Sequence, residues 1–301
     1  MPLDSYYASR FRLLAEATGP ASTDDEMRVL WRELVRPDTT SRVIPDVTIR
    51  DVSIPGPHGP VAVRTYRPTH ATIGSALLWV HGGGFRAGDL DMPEAHQVSA
   101  ALALSAGAFV VSVGYRLAID GVRYPVPLDD VHAAWKWLCS VGAPDSAGHR
   151  VPVAIGGASA GSALALGTAL RSRDRGEATG EALLLAYPFV HFPVPALDTS
   201  TAREMLDFPE FLRSSADAME RSVANYVGRV TDLPDEALPG MARLTGLPPT
   251  VIVVPEYDDL RPSGELLARQ LRGAGVPTDV MTARGVLARV PQPHRPAAAD
   301  R

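Results

Sequence analysis

Apolar residues gather in six short, nearly uninterrupted runs, at residues 76–80, 109–113, 151–155, 183–187, 251–255 and 278–281. Segments with helical spacing lie between most of them, at 93–106, 128–141, 160–173 and 262–274. This alternation predicts a parallel sheet covered on both faces, because strands buried on both sides lack the polar alternation of a half-exposed sheet. Two earlier strands, 47–54 and 61–66, flank the turn Pro55-Gly56-Pro57-His58-Gly59. Residues 1 to about 40 read as helical, with Phe11, Leu13 and Leu14, then Met27, Leu30, Trp31 and Leu34, at helical intervals. The interval 191–240 breaks the rhythm with prolines at 193, 195, 209, 234 and 239 and two helix-like pieces, 204–208 and 216–226. The expected organisation is therefore amino-terminal cap helices over 1–45, a core over 46–190 and 241–287, a cap insertion over 191–240, and a disordered tail over 288–301.

Composition narrows the function classes. The chain has 301 residues and a net charge of −5, without the clustered positive charge that a nucleic-acid partner needs. No apolar stretch is long enough to cross a bilayer, and the amino terminus lacks a basic start followed by an apolar core. A cytoplasmic protein is the default reading. Cys139 is the only cysteine, which excludes an internal disulfide, and its apolar neighbours predict a buried structural thiol.

Two motifs carry chemistry. Gly157-Ala158-Ser159-Ala160-Gly161 lies between a predicted strand and a predicted helix. There the glycines let strand and helix approach closely around a serine on a sharp turn. Ser159 then stands at a helix amino terminus, where the macrodipole favours developing negative charge. Its plainer reading is an ordinary helix cap. His81-Gly82-Gly83-Gly84-Phe85 follows another strand and exposes backbone N–H groups with no side chains in the way. Such donors stabilise a tetrahedral oxyanion, at about 3–4 kcal/mol each. Gly83, Gly84 and Ala160 are the expected donors, with Gly82 a further candidate. His81 is expected to hold the loop by a hydrogen bond. Glu256, Asp258 and Asp259 follow a late strand and are the candidate acids.

These motifs, with Tyr115-Arg116-Leu117-Ala118, the segment 125–130 and Tyr257-Asp258-Asp259-Leu260-Arg261, occur in the order that resembles the hormone-sensitive-lipase-like carboxylesterases. The resemblance covers about residues 40 to 287. It implies an α/β-hydrolase fold: a mostly parallel central sheet, helices on both faces and a helical cap. It also implies hydrolysis of short-chain carboxylic esters, with no metal or organic cofactor. The implied partner is a small-molecule ester, and a homodimer is left open. Among the acids it selects Asp258, which would orient an imidazole. Ser162 stands where a further glycine is usual, and Ile119-Asp120 replaces the usual Pro-Glu.

One member of the expected triad is displaced. The resemblance places a His-Gly pair after the last strand, where this chain has Ala288-Arg289. His294 is the only histidine after Asp258, and it is flanked by prolines. The family's last helix is also missing, which predicts an uncovered apolar patch near the sheet edge, and with it low stability, self-association or poor solubility. Three readings follow. His294 folds back as the base. The chain is a non-catalytic homologue, like the plant gibberellin receptors, which resemble this family, lack the histidine and bind a small molecule. Or the tail arises from a shift of reading frame: residues 288–295 can be encoded by codons that, read one base later, begin His-Gly.

Overall fold

The computed structural model describes residues 3–18, 23–34, 44–141 and 150–287. His294 and the rest of the tail lie outside the described residues. The elements run α1 (Ser5–Ala17), α2 (Asp24–Leu34), β1 (Val47–Ile54), β2 (Val61–Pro68), β3 (Ser75–Val80), α3 (Pro93–Ala106), β4 (Ala108–Gly114), α4 (Val126–Val141), β5 (Val153–Ala158) and α5 (Ala160–Asp174). They continue with β6 (Ala182–Ala186), α6 (Thr199–Met205), α7 (Ala216–Val227), β7 (Thr250–Tyr257), α8 (Arg261–Gly273) and β8 (Thr278–Leu287).

The eight strands form one sheet in the order β1-β2-β4-β3-β5-β6-β7-β8. β1, β2 and β4 pair antiparallel, and β3 to β8 are parallel to one another and to β4. The central strands are buried on both faces, as their continuous apolar runs require. β3 lies between β4 and β5, so the chain leaves it toward one side and later returns to the other. In an open parallel sheet, that switch opens a crevice at the carboxyl ends of the strands. The register levels those ends: Val80 is opposite Gly157, Ala158 opposite Ala186, and Ala186 opposite Val253.

The sheet is locked to α5 by backbone contact. A Cβ at Gly161 would sit 2.2 Å from the Val80 carbonyl oxygen and 2.4 Å from that of His81. Only glycine fits there, and the first turn of α5 therefore rides on the end of β3. Farther along α5, buried Arg171 donates to Asp129 of α4 (2.6 Å) and Glu236 (2.7 Å), tying the segment before residue 240 to the core. A second apolar cluster joins Leu14, Met205, Phe208, Phe211 and Leu212 to Tyr257 and Leu287, with Phe11, Met27, Leu30 and Leu34 against it. The amino-terminal helices thus pack on the 205–212 segment, over the ends of β7 and β8.

Three local expectations differ from the structure. β8 runs to Leu287 instead of ending near 281, because the Gly285 amide donates to Glu256 Oε2 (2.7 Å) and carries the strand past a bulge in β7. The helix expected at 204–208 is α6, which starts at Thr199, where Asp198 caps the amides of Ser200 and Thr201. Cys139 is half-buried, and burial pushes its thiol up to about 11, so it stays protonated at neutral pH. β8 is an edge strand with Met281 60% exposed. Among the described residues, no helix is long and apolar enough to cross a membrane.

Gly161→Ala is expected to cost about 2–3 kcal/mol in denaturant unfolding, since the new methyl meets backbone that cannot yield. Gly273→Ala, which meets nothing within 4 Å, should stabilise by about 0.5 kcal/mol.

Candidate active site

Ser159 occupies the turn between β5 and α5 with φ 53° and ψ −120°. A left-handed conformation is costly for a non-glycine residue, on the order of 1–3 kcal/mol, and persists only where its surroundings impose it. Here the Ser159 amide donates to the Ala186 carbonyl (2.9 Å) and the Ser159 carbonyl accepts from Phe189 (3.3 Å) and Ser162 (3.0 Å). Ser162 adds a second tie: its hydroxyl donates to the carbonyls of Gly157 (2.6 Å) and Ala186 (3.0 Å). The residue that replaces a usual glycine thus stiffens the turn. Ser159 sits at the N-cap position of α5, yet its hydroxyl makes no capping bond. That removes the plainer reading of Ser159 as a helix cap.

The glycine loop lies against this serine. A Cβ at Gly82 would come within 3.2 Å of Ser159 Cβ and 3.0 Å of the Ala158 carbonyl oxygen. In a trans peptide the carbonyl and the following N–H point in opposite directions, so what holds one aims the other. The Gly82 carbonyl accepts from His81 Nδ1 (2.8 Å) and Tyr115 Oη (3.2 Å), which turns the Gly83 N–H away from them. The Gly83 carbonyl accepts from the amides of Arg86 (3.2 Å) and Ala87 (3.0 Å), which turns the Gly84 N–H away from that bend. Among the described residues, the amides of Gly83, Gly84 and Ala160 have no acceptor. Gly82 differs. Its amide donates to Glu94 Oε1 at 2.5 Å and is already occupied.

His81 is buried and stacked on Tyr115 with ring centroids 4.4 Å apart. Burial pulls its pKa down to about 4. A carbonyl only accepts, so Nδ1 carries the proton of a neutral ring and the side chain is engaged in holding the loop.

The three acids separate by their partners. Glu256 receives the Gly285 amide. Asp259 receives the Ser214 amide (2.6 Å) and lies 3.5 Å from Arg213 Nη2, in the segment before α7. Asp258 is 4% exposed; its Oδ1 accepts from the Leu260 amide (2.9 Å), and its buried Oδ2 has no partner among the described residues. Burial first, then the charge of Asp259, push its pKa up to about 7. An acceptor left unmatched in the interior is unfavourable, and it marks where a donor such as an imidazole N–H would be received.

A family model described as alpha/beta hydrolase fold matches residues 77–289. The chain belongs to the hormone-sensitive-lipase-like group of the α/β-hydrolase family. It is 33% identical to the esterase LipI of Mycobacterium tuberculosis over 269 residues, spanning 87% of this chain and 81% of that protein. It is also 33% identical to the carboxylesterase NlhH of the same species over 266 residues, covering 85% and 79% respectively. A solved esterase from Pyrobaculum calidifontis superposes with a TM-score of 0.76 at 32% identity, covering 95% of this chain and 90% of that one.

Sequence reasoning missed Glu94 and Tyr187, which meet beside this loop. Glu94 reads as an ordinary acidic residue in a first helical turn, and Tyr187 as the end of an apolar run. The positive φ of Tyr187 (37°) was the unusual feature, and only coordinates reveal it.

Asp258 also sets a pH dependence. Its folded pKa lies above the unfolded value of 3.8, so between about pH 4 and pH 7 the folded state keeps a proton that the unfolded state releases. That contribution to stability is lost as pH rises through this window. Asp258→Asn should therefore melt above wild type at pH 8, the gap closing by about pH 4.

Proposed function

We propose that this chain is a serine carboxylesterase acting on short-chain carboxylic esters, with Ser159 as nucleophile and Asp258 as the acid of its triad. The observation that carries the reading is the set of unmatched amides at Gly83, Gly84 and Ala160 beside a serine whose hydroxyl caps nothing. Ser159 Oγ attacks the ester carbonyl carbon. The carbonyl oxygen becomes anionic, and the three amides receive it. Collapse of that intermediate breaks the ester C–O bond, releases the alcohol and leaves an acyl-serine. Water attacks the same carbon, and the acid departs as Ser159 is restored.

Each half-reaction moves a proton, so the chemistry needs a base. Chain order leaves His294 as its candidate, the only histidine after Asp258. Without a base, a serine enzyme loses on the order of 10⁶ in kcat, while oxyanion stabilisation and binding keep roughly 10³–10⁴ over water. Ala288-Arg289 in place of the family's His-Gly favours a second reading, a pocket that binds a small molecule without turnover.

Hydrolysis of p-nitrophenyl acetate, run beside labelling by an organophosphonate, separates the two. The esterase reading expects turnover and labelling, both lost in Ser159→Ala. Ligand-induced melting shifts without labelling overturn it. A His294→Ala chain that falls to the Ser159→Ala rate assigns the base to His294. A rate unchanged by His294→Ala, and raised by imidazole above the protein-free imidazole reaction in wild type but not in Asp258→Asn, assigns the donor of the unmatched Asp258 oxygen to solution.

A further inference from the structure

Gly82 is the one glycine of the loop whose amide is already taken, and its acceptor belongs to a helix that the motif does not include. Glu94 lies in the first turn of α3. Its Oε1 accepts from the Gly82 amide at 2.5 Å, and its Oε2 accepts from Tyr187 Oη at 2.5 Å. The carboxylate thus has one oxygen on each donor, a backbone amide and a phenol. The backbone beneath is pinned too, since the Glu94 carbonyl accepts from Trp79 Nε1 (3.0 Å). Glu94 is partly open to solvent as a residue, but its carboxylate is enclosed, and burial raises its pKa against the lowering effect of the two hydrogen bonds. The start of α3 offsets part of that burial, because a helix amino terminus favours negative charge.

The placement of this carboxylate is specific. A Cβ on Gly82 would lie 2.9 Å from Glu94 Oε1 and 3.2 Å from Ser159 Cβ, so both side chains border that glycine. Tyr187 follows β6 directly, and its own amide donates to Val253 of β7 (2.7 Å). The preceding residue, Ala186, supplies the carbonyl that receives both the Ser159 amide and the Ser162 hydroxyl. One carboxylate therefore spans from the glycine loop to the segment beneath the nucleophile. It holds Gly82 from its amide side, while His81 and Tyr115 hold it from its carbonyl side. With both flanking peptides fixed, the Gly83 N–H has one orientation.

We propose that Glu94, held by Tyr187, is a positioning residue that fixes the Gly82 peptides and so aims the Gly83 amide at the developing oxyanion. The inference rests on the esterase reading above. It touches no reacting atom: its effect passes through Gly82.

Full-length Glu94→Ala, Glu94→Gln and Tyr187→Phe chains are compared with wild type in p-nitrophenyl acetate hydrolysis and in amide hydrogen exchange over residues 81–88. Glu94→Ala is expected to lower kcat about 10- to 100-fold with KM changed less than about twofold, because a misaimed donor weakens only the transition state. Exchange over 81–88 should accelerate while the melting temperature holds. Glu94→Gln retains an acceptor for Gly82 and should recover most of the kcat; Tyr187→Phe should fall between. Wild-type kcat in Glu94→Ala, a loss expressed mainly in KM, or unchanged exchange over 81–88 overturns the proposal. If Glu94→Ala fails to fold, Tyr187→Phe carries the same two readouts. If wild type neither turns over nor is labelled by an organophosphonate, the esterase reading falls, and exchange over 81–88 decides the role of Glu94 alone.

Discussion

The structure depends on a contact between two stretches of backbone. At Gly161 the first turn of α5 touches the carbonyls at the end of β3, with no room for even a methyl group. That contact sets the distance between the serine turn and the glycine loop, and nothing softer than backbone lies between them to let it drift. The parallel register continues the constraint across the sheet, levelling the ends of β3, β5, β6 and β7. Each strand end then contributes one part: the loop of amides, the Ser159 turn, the Ala186 and Tyr187 support, and Asp258.

Around this crevice, burial governs the charges. His81 is kept neutral, Asp258 is held up to about 7, and Glu94 is pushed upward while two donors oppose the shift. A low-dielectric setting strengthens every dipole aimed at a new charge, which is what unmatched amides require to act on an oxyanion. The same setting makes each unmatched group costly. The open Oδ2 of Asp258 and the positive φ of Ser159 both cost stability that their surroundings must offset. The second apolar cluster packs α1 and α2 onto Tyr257, the residue before Asp258, and onto Leu287.

The strands, their parallel arrangement and the two motifs were legible because each depends on local pattern. Continuous apolar runs reflect burial on both faces, glycines at 82, 83, 157 and 161 reflect close approach, and Gly84 reflects a positive φ of 60°. The extension of β8 was not legible. It depends on Glu256 reaching the Gly285 amide across a bulge, a contact between residues 29 positions apart. Nor was the occupation of the Gly82 amide, since a glutamate one turn into a helix looks the same whether it faces solvent or a peptide of another strand. The choice among Glu256, Asp258 and Asp259 belongs to the same class. Three acids in four positions differ only in which neighbour folds against them: Gly285, an unmatched space, and Ser214.

The sequence by itself determined the fold class, the family's motif order and the sharp strand-to-helix turn at Ser159, since hydrophobic period and glycine placement are properties of short segments. Tertiary structure alone decided which amides are free, which acid has an unmatched oxygen, and that Glu94 and Tyr187 stand behind the loop. Those outcomes turn on the direction of individual peptide planes and side chains, and direction is set only when distant segments pack together.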